Sequence, residues 1–264
     1  MSASFDRRRF LLAGGALVVG ACSSSGEGSA SGSPPSSTVT SSSASAGAVA
    51  STSVPAASAS TSELVPADFE ALPTCGLVPT SAAGPFGLDQ QFERRDITEG
   101  IVGHPLLLGL RVVDGACVPL TGVAVEVWHS DPTGDYSAFA DGGTGKDDAE
   151  GSTFLRGTQP VRDDGIVSFS TLYPGWYPGR TPHIHVRVQR DGSAVYTGQL
   201  YFDDGYTAQV YRDEPYAPNG QPDTTNDADV LAGSTLPAGL LELRPINIGS
   251  GPGTQALLNL GIEV

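Results

Sequence analysis

Positive charge is scarce in this sequence. Its 264 residues include 14 Lys or Arg against 29 Asp or Glu, which gives a formal net charge of −15. A surface this acidic repels phosphate backbones. We therefore expect no nucleic-acid binding.

Hydrophobic runs are short as well. The apolar run from Phe10 to Ala21 is too short to cross roughly 30 Å of hydrocarbon as a helix. It follows Arg7 and Arg8, so residues 1–21 are predicted to be a twin-arginine export signal. "VGAC" resembles a lipobox, which predicts a lipid anchor to the membrane through Cys22. The protein would then be exported as a membrane-anchored lipoprotein of the cell surface; an ordinary cleaved signal and a secreted protein remain the alternative.

The next segment has no aromatic residue. Residues 22–64 are almost entirely Ser, Ala, Gly, Thr, Pro and Val. Such a composition cannot bury enough apolar surface to offset the entropy of ordering, which predicts a disordered tether. Residues 65–264 are enough for one domain with a substantial core.

Cysteine is rare, with only Cys22, Cys75 and Cys117. If Cys22 carries a lipid, the other two remain in an oxidising compartment, where we expect them to form a disulfide. Two separate buried thiols remain the alternative.

The folded part has no long helical period. Short, often β-branched runs bounded by Gly, Pro, Asp or Asn predict strands at 105–114, 122–130, 165–172, 182–189, 195–203, 240–248 and 256–264. This pattern indicates an all-β fold with a β-sandwich core, long loops and one short helix near 206–212. The loop 141–152 is Gly-rich and polar, and we expect it to be mobile.

Two of the four histidines lie on one predicted strand. If Ile184, Val186 and Val188 face the core, His183 and His185 project together from the other face, about 6.5 Å apart at ~3.3 Å per residue. Imidazoles at this spacing can bind one metal ion, although paired histidines on a strand surface are also common. His104 and His129 have no comparable neighbour in the sequence and are interpreted as ordinary polar residues.

Two tyrosines near this histidine pair indicate which metal ion the site would bind. Tyr177 precedes it, and Tyr136 follows another predicted strand. A phenol with a pKa of about 10 binds as phenolate only to a strongly Lewis-acidic ion. Two tyrosines with two histidines therefore favour Fe(III) over zinc.

Longer motifs extend this pattern: "VEVWHSDPTGDYS", "FLRGTQPVRDDGIVSFSTLYPGWYPGRTPHIHVRV" and "TGQLYFDD". They resemble the intradiol ring-cleavage dioxygenases, the family of catechol 1,2-dioxygenase and protocatechuate 3,4-dioxygenase, and in particular its exported single-domain members. The resemblance runs from about Cys75 to the C-terminal strand.

The resemblance implies a set of site residues. One non-haem ferric ion would be bound by Tyr136, Tyr177, His183 and His185. Tyr177 would also act in catalysis, as the ligand that dissociates and takes a proton from the substrate. Arg180 matches an active-site arginine and Gln199 a nearby glutamine. In this matching Tyr173, the nearest rival of Tyr177, is a packing residue.

The resemblance also implies a reaction. Both atoms of O2 would enter a small aromatic diol of the catechol type, with ring cleavage to a cis,cis-muconate-type product and no organic cofactor. The particular catechol and the oligomeric state are left open. The alternatives are a catalytically silent, surface-tethered β-sandwich binding module, a zinc or copper site in the same place, and a family member that binds iron without turnover.

The position of Gln199 depends on strand register. A two-residue loop at Asp191-Gly192 would pair Gln199 with Ile184, on the wrong face. A three-residue loop at 190–192 would pair it with His183. We predict the three-residue loop, with Gly192 at positive φ.

Overall fold

A computed structural model describes residues 63–73, 76–139 and 151–264. The predicted export signal, Cys22, the tether as far as residue 62, Cys75 and most of the loop 141–152 lie outside the described residues. Within the described ranges, no helix combines the length and the apolar character that a membrane span needs.

The described chain forms strands and two short helices. They are β1 (Pro105–Val113), β2 (Ala124–Trp128), β3 (Arg156–Pro160), β4 (Ile166–Leu172), β5 (His183–Arg190), β6 (Ser193–Tyr201), α1 (Asp204–Val210), α2 (Val230–Thr235), β7 (Glu242–Ile248) and β8 (Gly251–Gly261). One four-stranded sheet has the order β4-β1-β8-β7, and a second has the order β3-β2-β5-β6. β1 and β8 are parallel, and the other neighbouring strands are antiparallel.

The main apolar core confirms the predicted β-sandwich. Strand alternation sends every second side chain into it, so Val123, Val125 and Val127 are buried there. Ile184, Val186 and Val188 are buried in the same cluster, as predicted. β5 therefore presents His183 and His185 on the opposite face of its sheet.

A second apolar cluster joins the start of the described chain to the first sheet. Leu64 and Phe69 pack with Leu107 and Leu257. Leu107 alternates with Leu106 and Leu108, which lie in the main core, so this cluster covers the other face of the sheet. Leu64 is thus packed one residue before the expected start of the domain at residue 65.

Two elements differ from the sequence prediction. β3 was not predicted, because "RGTQP" is polar and ends in proline; such a segment fits the edge position that β3 occupies. α2 was not predicted either. The helix predicted at 206–212 is α1, which begins two residues earlier because Asp203 caps it by accepting a hydrogen bond from Tyr206 N.

The predicted three-residue loop between β5 and β6 is wrong. Asp191 (φ 50°) and Gly192 (φ 75°) form a two-residue turn that pairs Arg190 with Ser193. The register then shifts between Val188 and Gln189, a β-bulge that leaves Val195 without a partner in the ladder. Beyond the bulge, Gln199 pairs with His185. Gln199 consequently lies on the same face as the histidines, as predicted. It is placed there by a two-residue turn and a bulge, and it pairs with His185 where His183 was predicted.

Candidate metal centre

The histidine pair forms the floor of the site. His183 and His185 are almost fully buried, and their Nε2 atoms lie 3.2 Å apart. His183 Nδ1 donates to the carbonyl oxygen of Thr181 at 2.7 Å. That bond fixes the tautomer, so the lone pair of His183 Nε2 points into the site.

Tyr136 approaches from the loop after β2. Asp131 organises this loop, since its carboxylate accepts hydrogen bonds from Thr133 N at 2.8 Å and Asp135 N at 3.1 Å. The turn carries the Tyr136 side chain into the interior, where it is fully buried. Its hydroxyl oxygen lies 3.1 Å from His185 Nε2.

Tyr177 approaches from the segment between β4 and β5. Its hydroxyl oxygen lies 3.2 Å from His183 Nε2. The two tyrosine loops touch at Gly175, where Gly175 N donates to Asp131 O at 3.0 Å. A Cβ at residue 175 would lie 2.2 Å from that same oxygen, so only glycine permits the contact.

The four side chains bring their donor atoms together at one point. His183 Nε2 lies 3.2 to 3.5 Å from His185 Nε2 and from both phenolic oxygens, and His185 Nε2 lies 3.1 Å from the Tyr136 oxygen. Ligands bound at about 2.0–2.1 Å from a metal lie roughly 3 Å from one another. The donor set therefore fits a single metal ion. Among the described residues, no group of three or more His, Cys, Asp or Glu side chains offers an alternative site.

Burial keeps all four groups neutral in the absence of a cation. Desolvation lowers the pKa of His183 to about 3 and that of His185 well below its ordinary value. Desolvation also raises the pKa of Tyr136 well above 10 and raises that of Tyr177. Two imidazoles and two phenols match an ion acidic enough to displace the phenolic protons, and Fe(III) has that property.

Arg180 and Gln199 lie beside the cluster. Arg180 Nη1 is 3.5 Å from the Tyr177 oxygen, and Arg180 Nη2 donates to Gln199 Oε1 at 2.5 Å. Gln199 is fully buried, and its Nε2 donates to Ala82 O at 3.2 Å. The six residues predicted for the site thus lie in one place: Tyr136, Tyr177, Arg180, His183, His185 and Gln199.

Sequence reasoning missed the aromatic side chains around the ligand set. The Trp128 ring stacks on His185 with centroids 4.9 Å apart, and Phe86 stacks on Tyr136 at 4.4 Å. Trp128 lies two residues after the polar residue Glu126, so both side chains are on the same face of β2; this alternation could have placed Trp128 beside the site. Phe86 lies in a loop whose position depends on long-range contacts, such as Phe86 O accepting from Arg156 Nη1.

The remaining candidates lie elsewhere. Tyr173 is buried in the core, with its ring against Phe202 and its hydroxyl 2.7 Å from Thr207 Oγ1. His129 is also buried, between Ser130 O and Thr171 Oγ1. The sequence indicated an ordinary polar residue at His129, but the side chain is buried and both ring nitrogens have hydrogen-bond partners.

A cavity of about 600 Å³ opens at another place. Its lining includes His104, Tyr206, Asp213 and Asn247, and no side chain of the donor cluster. The convergence of donor atoms identifies the candidate site.

Known proteins are similar to the part of the chain that holds this site. A family model described as dioxygenase matches residues 82–211, the range that holds all six site residues. The chain is 34% identical over 115 residues to a chlorocatechol 1,2-dioxygenase of Pseudomonas sp. (strain P51). That match covers 39% of this chain and 45% of the relative, so the chain spans less than half of that relative's length.

Two solved structures are similar over most of the described chain. An intradiol ring-cleavage dioxygenase from Tetranychus urticae has a TM-score of 0.65 and 32% identity, covering 72% of this chain and 95% of that one. The dioxygenase domain of a dioxygenase carbohydrate-binding protein fusion from Streptomyces sp. SirexAA-E has a TM-score of 0.51 and 30% identity, covering 72% and 99%.

Proposed function

Because the chain belongs to the intradiol ring-cleavage dioxygenase family, we propose that it is an enzyme that binds one non-haem ferric ion through Tyr136, Tyr177, His183 and His185. The observation that carries this proposal is the convergence of four donor atoms, with four of their separations at 3.1 to 3.5 Å. A binding module without a metal gives no reason for these groups to meet.

The proposed substrates are a small aromatic diol of the catechol type and O2. The reaction inserts both oxygen atoms and cleaves the ring between the hydroxylated carbons, giving a cis,cis-muconate-type product. When bound, the ferric ion supplies Lewis-acid activation of the diol. The chlorocatechol 1,2-dioxygenases among the relatives support a catechol-type substrate.

The protein groups have separate parts in this scheme. As a phenolate, the form in which it would bind the metal, the Tyr177 oxygen could accept a proton from a substrate hydroxyl and become a phenol. Tyr177 is also the one of the two tyrosines that remains partly exposed, so a substrate can reach it. Arg180 stabilises negative charge that develops beside that oxygen. Burial of Tyr136, His183, His185 and Gln199 keeps bulk water from the other side of the site.

The visible absorption spectrum tests the ligand set directly. Full-length protein from iron-supplied cells should show a tyrosinate-to-Fe(III) charge-transfer band that shifts when catechol is added without oxygen. Tyr136→Phe should change the band and lower kcat/KM more than about a hundredfold, because a metal ligand is lost. Tyr173→Phe is the matched control: it removes a buried phenol that faces Thr207, and should keep the band.

The outcomes separate the competing functions. Colourless protein that stays colourless with ferric iron would refute the metal site and favour the binding module. A band that shifts with catechol but no ring-cleavage product in oxygen would indicate an iron-binding member without turnover. A band that Tyr136→Phe leaves unchanged would refute the assigned ligands.

We also propose export by the twin-arginine route and a lipid anchor at Cys22, at the cell surface. The support is the sequence alone: Arg7, Arg8, the short apolar run and "VGAC". The double substitution Arg7→Lys with Arg8→Lys should abolish export, and Cys22→Ser should release exported protein from the membrane fraction. Unchanged export of active protein by the double variant would contradict the route.

A further inference from the structure

The carboxylate of Asp229 is the partner of the active-site arginine. Asp229 Oδ2 accepts from Arg180 Nε at 2.7 Å and from Thr181 N at 3.1 Å. Its side chain is 1% exposed, against 19% for Arg180. A buried charge pair of this kind fixes both partners, because breaking it leaves an uncompensated charge in the interior.

The pairing with Asp229 leaves Nη1 of the Arg180 guanidinium free to face the candidate site. Arg180 Nε is bound to Asp229, and Nη2 is bound to Gln199 Oε1, which also accepts from the Tyr201 hydroxyl at 2.9 Å. Nη1 is then directed at the Tyr177 oxygen, 3.5 Å away. The direction of Nη1 is thus set by the two acceptors on the other nitrogens.

The backbone around Arg180 is held by the same segment. Asp223 accepts from Gly179 N at 3.1 Å, and Asn226 Oδ1 accepts from Thr181 Oγ1 at 3.0 Å. Side chains three residues apart, at 223, 226 and 229, therefore contact the consecutive residues 179–181. Asp229 is anchored in turn at the start of α2, where its Oδ1 accepts from Leu231 N and Ala232 N.

We propose that Asp229 is a positioning residue of the catalytic site: it orients Arg180 so that Nη1 faces the Tyr177 oxygen, and it balances the arginine charge next to the ligand set. This inference rests on the proposed function, in which negative charge develops at that oxygen. It predicts that Asp229 acts on catalysis through Arg180 and not merely through the stability of α2.

The first test is Asp229→Asn, with Asp203→Asn as the matched control. Asparagine caps helices as well as aspartate does, so both variants should fold. Asp203 caps α1 through Tyr206 N, in the way that Asp229 caps α2, and is not the partner of Arg180. Asp229→Asn should lower kcat/KM about tenfold to a hundredfold, the loss expected for a charge-assisted hydrogen bond. Asp203→Asn should leave kcat/KM within about twofold.

A spectroscopic readout separates positioning from loss of the metal. In Asp229→Asn the ferric charge-transfer band should persist, since all four ligands remain, but its maximum should move because the charge beside the Tyr177 oxygen changes. Asp203→Asn should keep the wild-type maximum. An unmoved band together with unchanged kcat/KM in Asp229→Asn would overturn the inference.

A double-mutant cycle with Arg180→Gln decides whether Asp229 acts through the arginine. If it does, Asp229→Asn has little further effect on kcat/KM once Arg180 is replaced. Equal losses with and without Arg180 would overturn the inference while leaving the proposed function intact. Wild-type protein with neither ferric colour nor catechol turnover would overturn both. Asp229→Ser, which also keeps a capping oxygen, serves in the same cycle if the asparagine variant does not fold.

Discussion

At the scale of single residues, the site depends on close contacts between loops. Tyr136 and Tyr177 come from two segments that meet where Gly175 rests on the turn at Asp131. Ser130 Oγ reinforces the contact by donating to Gly175 O at 2.9 Å. The distance between the two phenolic oxygens therefore depends on a residue that has no side chain.

Gly175→Ala should show this dependence. Its Cβ would lie 2.2 Å from Asp131 O and 2.7 Å from Gly134 N, and backbone atoms cannot yield as a flexible side chain can. We expect a loss of about 1–3 kcal/mol in the free energy of unfolding, measured in urea, and a weaker ferric band because Tyr177 moves.

Gly233→Ala is the control for this variant. It lies in α2, where an added Cβ meets nothing within 4 Å, and alanine is the better helix former. Its stability should be equal to or above that of the wild type. A Gly175→Ala protein as stable and as coloured as Gly233→Ala would contradict the contact.

At the scale of elements, His129 connects the two sheets. It follows β2 in one sheet, and its Nε2 lies 2.7 Å from Thr171 Oγ1 on β4 of the other. Its Nδ1 donates to Ser130 O at 2.8 Å, so Nε2 is left as the acceptor for the Thr171 hydroxyl. Complete burial favours the neutral ring in this arrangement.

The free energy of unfolding should therefore fall on acidification. Complete burial lowers the pKa of His129 from 6.5 to about 4. Between these values the unfolded chain binds a proton that the folded protein does not, so stability is present above pH 6.5 and is lost as the pH falls toward 4. The loss from one such group is at most about 1.4 kcal/mol per pH unit.

Urea unfolding of metal-free protein at about pH 7 and about pH 5, on either side of the ordinary histidine pKa, measures this effect. His183 and His185 titrate in the same direction, so the comparison must be with His129→Gln, whose amide can keep both hydrogen bonds. The variant should lose less stability between the two pH values than the wild type. Equal losses would show that His129 does not titrate with unfolding; Tyr173→Phe should behave as the wild type.

At the scale of the whole molecule, the two faces of the second sheet differ: one packs into the apolar core, and the other is polar and carries the candidate site. The face that carries His183, His185 and Gln199 is covered by loops that run between different strands, while the opposite face of the same sheet packs into the core. The chain has a net charge of −15, whereas the four donor side chains of the site are neutral and Arg180 carries a positive charge.

Cys117 forms a disulfide. The expected partner, Cys75, lies outside the described residues, so that pairing stays a prediction. Closure of a loop of roughly 40 residues should contribute about 3–4 kcal/mol to the free energy of unfolding. Cys117→Ala should lose this amount in urea unfolding, and reduction of the wild type should have the same effect. Peptide mapping without reduction should recover a Cys75–Cys117 peptide; a different linkage would refute the pairing.

Much of the site could be predicted because its information is local. About nine consecutive residues contain Tyr177, Arg180, His183 and His185. Strand alternation alone places both histidines on one face. The sandwich followed from short β-branched runs. β3 could not be predicted, because an edge strand needs little apolar character and "RGTQP" carries none of the usual signal.

The sequence by itself determined the fold class, the histidine face and the residue types that meet at the candidate site, because each follows from a period of two or from the chemistry of neighbouring side chains. Only the tertiary structure decided the register of Gln199, which depends on the bulge at Val195, and the contacts of Asp229, Phe86 and Gly175. Those contacts join residues far apart in the chain, where packing and closed hydrogen bonds select one arrangement among many that local sequence permits.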